Sequence, residues 1–307
     1  MTCEPITYAY LETTNHCNLD CVFCNRRDVV TQQTLKHMSL DNWDRILNIL
    51  APHPINEAKL MGLGEPFFHP YYDQITLRFK ETFPKAFVIS ATNLQYKIND
   101  KFFEASKNLD LLYLSIDGYK ETYEAARPGS KWERLIKSLD DIQKRITSLK
   151  LKTRFEINFV ATPDTINSLE NVYKLYEEYD FITDIRINLA QWWGEEDKLE
   201  LEYNSEYLTI LRKYKSKVKG KAPWDFKDCF WPKRGIYMTV DGSVKVCCIN
   251  TSTSPIGNIF LDDLDEIRSE SKLKNIRNDL INNVQENPHC KTCSYKVLSP
   301  ILEKIIT

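Results

Sequence analysis

The chain has 307 residues, 41 basic against 43 acidic side chains, and 42% hydrophobic residues, enough for a packed core in one large domain or a large and a small one. A formal net charge of −2 gives no basis for broad electrostatic binding to nucleic acid or a membrane surface. No apolar run is long enough to cross a bilayer, and Met1-Thr-Cys-Glu-Pro-Ile-Thr lacks the basic flank and apolar stretch of a signal peptide, so a cytoplasmic protein is expected.

In chain order, residues 7–13 read as a strand and Leu40–Leu50 as an amphipathic helix opened by Ser39. Strands near 57–62, 86–92, 111–116, 153–161 and 184–189 then alternate with helices 71–82, 99–107, 131–147, 165–179 and 205–217. Short apolar runs alternating with helical-period segments predict βα units around a parallel sheet. Six units fit, two short of a closed barrel. The fold class is therefore α/β, a partial (β/α)6 TIM-like barrel with functional loops at the carboxyl ends of its strands. The lysine-alternating stretch Lys213–Lys221 marks a junction, dividing a core of residues 1–220 from a small second domain of 221–307. In that domain, 235–249 reads as a hairpin turning on Asp241-Gly242, followed by a helix over about 262–283.

The nine cysteines avoid the middle of the chain, where roughly two hundred residues between Cys24 and Cys229 contain none. In a cytosolic protein, tightly spaced cysteines mean metal or redox chemistry more often than disulfides. Two thiolate sites are expected. The first is Cys17-Asn-Leu-Asp-Cys21-Val-Phe-Cys24, directly after the first strand. Three thiolates can wrap one iron–sulfur cluster while leaving an iron open to a small molecule. The alternative is structural zinc completed by His16 or a distant residue, although His16 abuts Cys17 and is badly placed to share its ion. Cys3, in the terminal segment, receives no role.

The cysteine spacing, with aromatic Phe23 before the third cysteine, resembles the signature of the radical S-adenosylmethionine (SAM) superfamily. The resemblance implies a [4Fe–4S] cluster whose open iron is chelated by SAM, cleaved to a 5′-deoxyadenosyl radical that abstracts a substrate hydrogen atom. It also implies a low-potential electron donor such as flavodoxin or ferredoxin. Gly62-Leu-Gly64-Glu65-Pro66, after the second strand, resembles the family's Gly-Gly-Glu-Pro loop that receives the SAM amino group, with Leu63 inserted between the glycines. Ser90-Ala-Thr-Asn93 resembles a family Thr-Asn-Gly with Leu94 in place of glycine. Ser115-Ile-Asp117-Gly118 resembles a loop whose polar side chains face the cofactor. Arg127 matches an arginine that approaches the cofactor carboxylate. Read alone, each of these is equally turn chemistry or a salt bridge.

The second group, Cys229, Gly242, Cys247 and Cys290-Lys-Thr-Cys293, resembles the family's twitch domain, the abbreviated form of the SPASM extension. It implies a second, fully ligated [4Fe–4S] cluster, with zinc as the alternative of identical ligand arithmetic. Neighbouring strand residues face opposite ways, so Cys248 is expected to point away from Cys247 as a packing thiol.

A closed second cluster suits electron transfer, and the layout resembles alcohol-oxidising members of the family. The leading expectation is therefore two-electron oxidation of a small polar substrate. The alternatives are a peptide-modifying maturase and a non-catalytic iron–sulfur or zinc protein. A first strand starting near residue 7 leaves no room for a leader-peptide domain, which favours the small molecule. Gln191-Trp192-Trp193-Gly194 follows the sixth strand, at the barrel mouth, where the tryptophans could stack on a substrate or seal the barrel to the second domain. Trp224, Phe230, Trp231 and Tyr237 are expected to pack the small domain.

Overall fold

The computed structural model describes residues 4–191, 205–220, 225, 227, 229–249, 253–282, 290 and 293–307. Cys3, Trp192, Trp193, Gly194, Lys221 and Trp224 lie outside them.

The strands are β1 Tyr8–Leu11, β2 Glu57–Lys59, β3 Phe87–Thr92, β4 Leu111–Ser115, β5 Arg154–Ala161, β6 Ile182–Leu189, β7 Val218–Lys219, β8 Gly235–Met238, β9 Ser243–Lys245 and β10 Gly257–Asn258. The helices are α1 Arg26–Val29, α2 Leu40–Leu50, α3 Tyr72–Thr82, α4 Asp100–Ser106, α5 Glu121–Ala126, α6 Trp132–Leu149, α7 Leu169–Glu178, α8 Ser205–Lys213, α9 Trp231–Arg234, α10 Leu264–Ile267, α11 Glu270–Ile281 and α12 Tyr295–Ile306. Local chemistry sets these boundaries. The Ser39 hydroxyl accepts the Asn42 N–H and caps α2, which buries Trp43, Ile46, Leu47 and Leu50 at helical spacing. Asn99 caps α4 through the Phe102 N–H in the same way.

The six βα units form the expected partial barrel, with β1 to β6 parallel and adjacent in sequence order. The sheet then extends beyond them at both edges. β7 adds in parallel to β6, and β8 adds in parallel to β1, followed by antiparallel β9 and β10. The lysine-rich stretch thus contributes a strand, and the hairpin continues the barrel sheet across residue 220.

Alternation along each strand sorts the side chains. Ala9, Leu11, Ala58, Val88, Leu112, Leu114, Phe155, Ile157, Ile185 and Ile187 face the helices and join the main core. Tyr8, Tyr10, Glu57, Lys59, Tyr113, Asn158, Arg186 and Asn188 face the lumen.

Two differences from the expected helices have local causes. The helix expected over 262–283 is two, because Arg268 turns inward and its guanidinium donates to the Lys233 carbonyl at 2.9 Å. α12 was not anticipated, since Pro300 interrupts a pattern that otherwise reads as helical. It packs on α8, where Arg212 donates to the Lys304 carbonyl at 3.0 Å.

Candidate active site

The loop after β1 carries Cys17, Cys21 and Cys24, with Cys21 buried and the others half-buried. Backbone bonds stitch it to the end of α5: Asp20 N–H donates to the Pro128 carbonyl and Val22 N–H to the Ala126 carbonyl. On its other side the Asn15 side chain clamps the segment before α2, donating to Thr34 and accepting from the Lys36 N–H at 2.7 Å. Burial pushes the Cys17 thiol up to about 11 and Cys21 to about 12, with Cys24 also raised, and neighbouring thiols add to the shifts of Cys17 and Cys21. Thiols crowded this way are hard to ionise without a cation, so the donor set fits a metal centre that takes them as thiolates.

Around these thiols the loops at the strand ends form one network. Gly62 and Gly64 permit close approach. A Cβ at Gly62 would lie 2.4 Å from the Glu12 carboxylate, and one at Gly64 would lie 2.4 Å from the Thr14 carbonyl. Glu65 is buried, accepting the Asn93 N–H at 2.7 Å and the Phe67 N–H at 3.3 Å, with Pro66 opening the short turn that follows. The Asn93 amide donates to Asn18 at 2.9 Å and lies 3.8 Å from Cys17 Sγ. Leu94, at the family's glycine position, takes the left-handed conformation, with φ of 57°. Arg127 Nε donates to Asp117 at 2.6 Å, its Nη1 lies 3.5 Å from Cys21 Sγ, and its guanidinium sits 5.5 Å from the Phe23 ring centre. Asp117 also accepts the Val160 N–H at 2.6 Å, so both carboxylate oxygens are engaged within the protein. Burial alone would lower the Arg127 guanidinium, yet Asp117 and Cys21 hold it raised. Ser115 stands apart from this network, ending β4 on the lumen side opposite Asn158.

The barrel lumen is a cavity of about 850 Å³. Strand residues line one side, including Tyr8, Lys59, Tyr113, Asn158 and Arg186, and Cys229, Cys247, Cys248, Cys290 and Cys293 line the other. Burial pushes Cys229 and Cys290 up to about 12 and Cys293 to about 11, each with a contribution from Cys247. Four thiols in mutual electrostatic range fit a second, fully protein-ligated cluster. Cys248 departs from expectation. β9 ends at Lys245, so strand alternation does not govern residues 247 and 248, and both line the lumen. Phe230 and Trp231 stack on each other and meet Tyr8 edge-on at 5.0 and 5.1 Å, while Tyr237 meets Tyr10 at 5.3 Å, packing the second cysteine segment onto β1.

Comparison with known proteins places this arrangement. The family model described as the radical SAM superfamily matches residues 11–182, more than half of the chain. The chain belongs to the radical SAM superfamily. A second model, SPASM, described as an iron–sulfur cluster-binding domain, matches residues 229–294. GTP 3′,8-cyclase of Clostridium perfringens is 29% identical over 218 residues, covering 69% of this chain and 64% of the relative, so the match spans less than two thirds of that protein. Three solved structures share the fold. Streptococcus suis SuiB aligns with a TM-score of 0.67 at 16% identity, covering 98% of this chain and 72% of its own. The protein anSMEcpe, solved with AdoMet and the Cp18Cys peptide, aligns at 0.65 and 17%, covering 95% and 88%. BtrN, solved with AdoMet and 2-DOIA, aligns at 0.57 and 14%, covering 95% and 93%. This radical SAM enzyme therefore uses SAM and [4Fe–4S] clusters, one of them auxiliary. No described helix is long and apolar enough to cross a membrane.

Sequence reasoning missed several residues of this radical SAM site. Glu12 is buried, and its carboxylate accepts the Leu63 N–H at 2.7 Å and the Val240 N–H at 3.1 Å, joining the glycine loop to the hairpin. Lys59, Arg186, Asn158 and Asn188 line the lumen. Their signal was present: Glu57-Ala-Lys59, Glu156-Ile-Asn158 and Asp184-Ile-Arg186-Ile-Asn188 place polar residues at every second position of strands expected to be buried on both faces.

Proposed function

We propose that this enzyme carries out a two-electron oxidation of a small polar substrate, an alcohol or sugar-like molecule, bound in the barrel lumen. One observation carries the reading: a single cavity is lined by polar strand residues and by Cys229, Cys247, Cys290 and Cys293. A substrate there would lie beside the auxiliary site. When bound, the first cluster and SAM would supply a 5′-deoxyadenosyl radical able to take a hydrogen atom from the alcohol carbon, and the second cluster would accept the electron left once the substrate radical loses its hydroxyl proton to solvent.

The chain's own residues do the positioning. We assign cluster ligation to Cys17, Cys21 and Cys24 at the first site and to Cys229, Cys247, Cys290 and Cys293 at the second. Gly62, Gly64 and Pro66 shape the backbone that receives the SAM amino group, and Glu65 braces that loop against Asn93. Arg127, held by Asp117 and covered by Phe23, keeps a fixed positive charge beside Cys21. Ser115 faces the lumen where substrate and cofactor would meet. Residues 1–220 act as the radical-generating part and 221–307 as the auxiliary part, in a cytoplasmic enzyme reduced by a flavodoxin or ferredoxin.

Anaerobic reconstitution should load roughly eight irons per chain. With dithionite and SAM the enzyme should form 5′-deoxyadenosine, and Cys21→Ala should abolish it. Against a panel of polyols, aminocyclitols, sugars and short peptides, the turned-over compound should be a small alcohol that loses two hydrogens. Cys290→Ala should keep the first cluster and 5′-deoxyadenosine formation but yield no oxidised product. Wild-type product formation by that variant, or a peptide with a new cross-link, would overturn the reading.

A further inference from the structure

Lys59 on β2 and Arg186 on β6 both occupy lumen-facing positions and line the same cavity. Neither forms an ion pair among the described residues, although surface lysines and arginines of this chain do so repeatedly. The Lys59 ammonium lies 5.8 Å from the ring centres of both Tyr8 and Tyr10, with no hydrogen-bond acceptor among the described residues. Aromatic faces orient a cation without neutralising it. Arg186 is also held in place. Its Nη1 donates to the Tyr113 hydroxyl at 2.6 Å, its Nε to the Asn188 side chain at 3.2 Å, and the guanidinium sits 5.2 Å from the Tyr113 ring centre. Asn188 in turn donates to Asn158 at 2.6 Å, so a second lumen residue fixes the arginine's partner. These contacts leave Nη2 without a hydrogen bond among the described residues. Among the described residues, and apart from the cysteines assigned to the second cluster, the charged side chains lining the cavity are Lys59, Arg186 and Arg234 against the carboxylate of Glu57.

We propose that Lys59 and Arg186 form an anion-binding recess in the lumen, so that the substrate carries a phosphate or carboxylate group besides the carbon that reacts. The inference rests on the lumen being the substrate cavity. Two like charges held in one partly dry cavity repel, and Arg186 contributes to lowering the Lys59 ammonium, where burial is the larger cause. A bound anion removes that repulsion and gains charge-assisted bonds from both groups. The Tyr113 hydroxyl and the two asparagine amides beside the recess suit a hydroxyl-bearing body attached to that anion. The competing role is electrostatic support of the auxiliary cluster, because Cys248, next to Cys247, also acts on Lys59.

The test reads binding without turnover, so it fails independently of the proposed oxidation. Reconstituted enzyme is titrated calorimetrically at low ionic strength with inorganic phosphate and, separately, succinate. One anion should bind per chain, and Lys59→Met and Arg186→Met should each weaken it by about tenfold or more. Lys59→Arg should stay within about threefold of wild type, as should the exposed control Lys107→Met. Iron content and melting temperature verify the fold, and Lys59→Gln and Arg186→Lys replace any methionine variant that does not load iron. Tighter phosphate binding assigns a phosphoryl group, and tighter succinate binding a carboxylate. Absence of saturable binding, or unchanged binding in both variants, overturns the proposal. Unchanged binding with a shifted auxiliary-cluster potential assigns the two cations to the cluster instead.

Discussion

Asp117 has no solvent exposure and gives its two oxygens to Arg127 and to the Val160 N–H. Asp117→Asn leaves the guanidinium buried without its counter-charge, so it should cost about 3–5 kcal/mol in chemical denaturation of the apoprotein. The same variant should impair loading of the first cluster, because Arg127 then loses its orientation toward Cys21. Glu12 and Glu65 behave differently. Burial raises both carboxyls to about 7 against the pull of backbone N–H donors at each. A raised acid binds its proton more tightly folded than unfolded. Its stabilising contribution is complete below the unfolded value of about 4.3 and is lost as pH rises through about 7. Stability of the apoprotein should therefore decline across that window, and Glu12→Gln should flatten the decline by about one proton's share, measured as urea midpoint against pH. Leu94 shows a residue overriding its own preference. Its left-handed backbone costs about 1–2 kcal/mol, offset by a fully buried side chain and by the Ser138 hydroxyl donating to its carbonyl at 2.9 Å.

At the scale of elements, the β8–β9 hairpin depends on its turn. Gly242 has φ of +84°, and a Cβ there would meet the Phe260 ring at 2.4 Å. Gly242→Ala should cost about 2 kcal/mol or more and reduce iron at the second site before the first, readable as loss of roughly four of eight irons. Much of this architecture was legible in the sequence. The six core strands and the Ser39 cap follow from apolar period and hydroxyl placement, and Asp241-Gly242 marked the turn. What was hidden had physical reasons. β7 has two residues, too few for any pattern, and β8 pairs with β1, a long-range choice that local propensity does not encode. The first cysteine group was legible because its spacing is local, and the second through its likeness to the twitch pattern. The lumen cations showed only as polar residues at alternate strand positions, and their convergence appears only when β2 and β6 line one cavity.

For the whole molecule, the consequential contact is the one between β1 and β8, reinforced by Glu12 accepting from Val240. A chain ending at Gly220 would expose the β8-facing edge of β1 together with the rings of Tyr8 and Tyr10. Such a truncation should associate or precipitate, and size-exclusion chromatography of the apoprotein would detect it. The same contact also sets an order in time. More than two hundred residues separate Leu11 from Gly235. At roughly 5–20 residues per second, the ribosome takes on the order of 10–45 s to supply the strand that completes the sheet beside β1. For most of that interval Cys17, Cys21 and Cys24 are already synthesised while Glu12 still lacks Val240. Iron delivered before synthesis ends would therefore meet a cradle with one wall missing, which the last quarter of the chain closes.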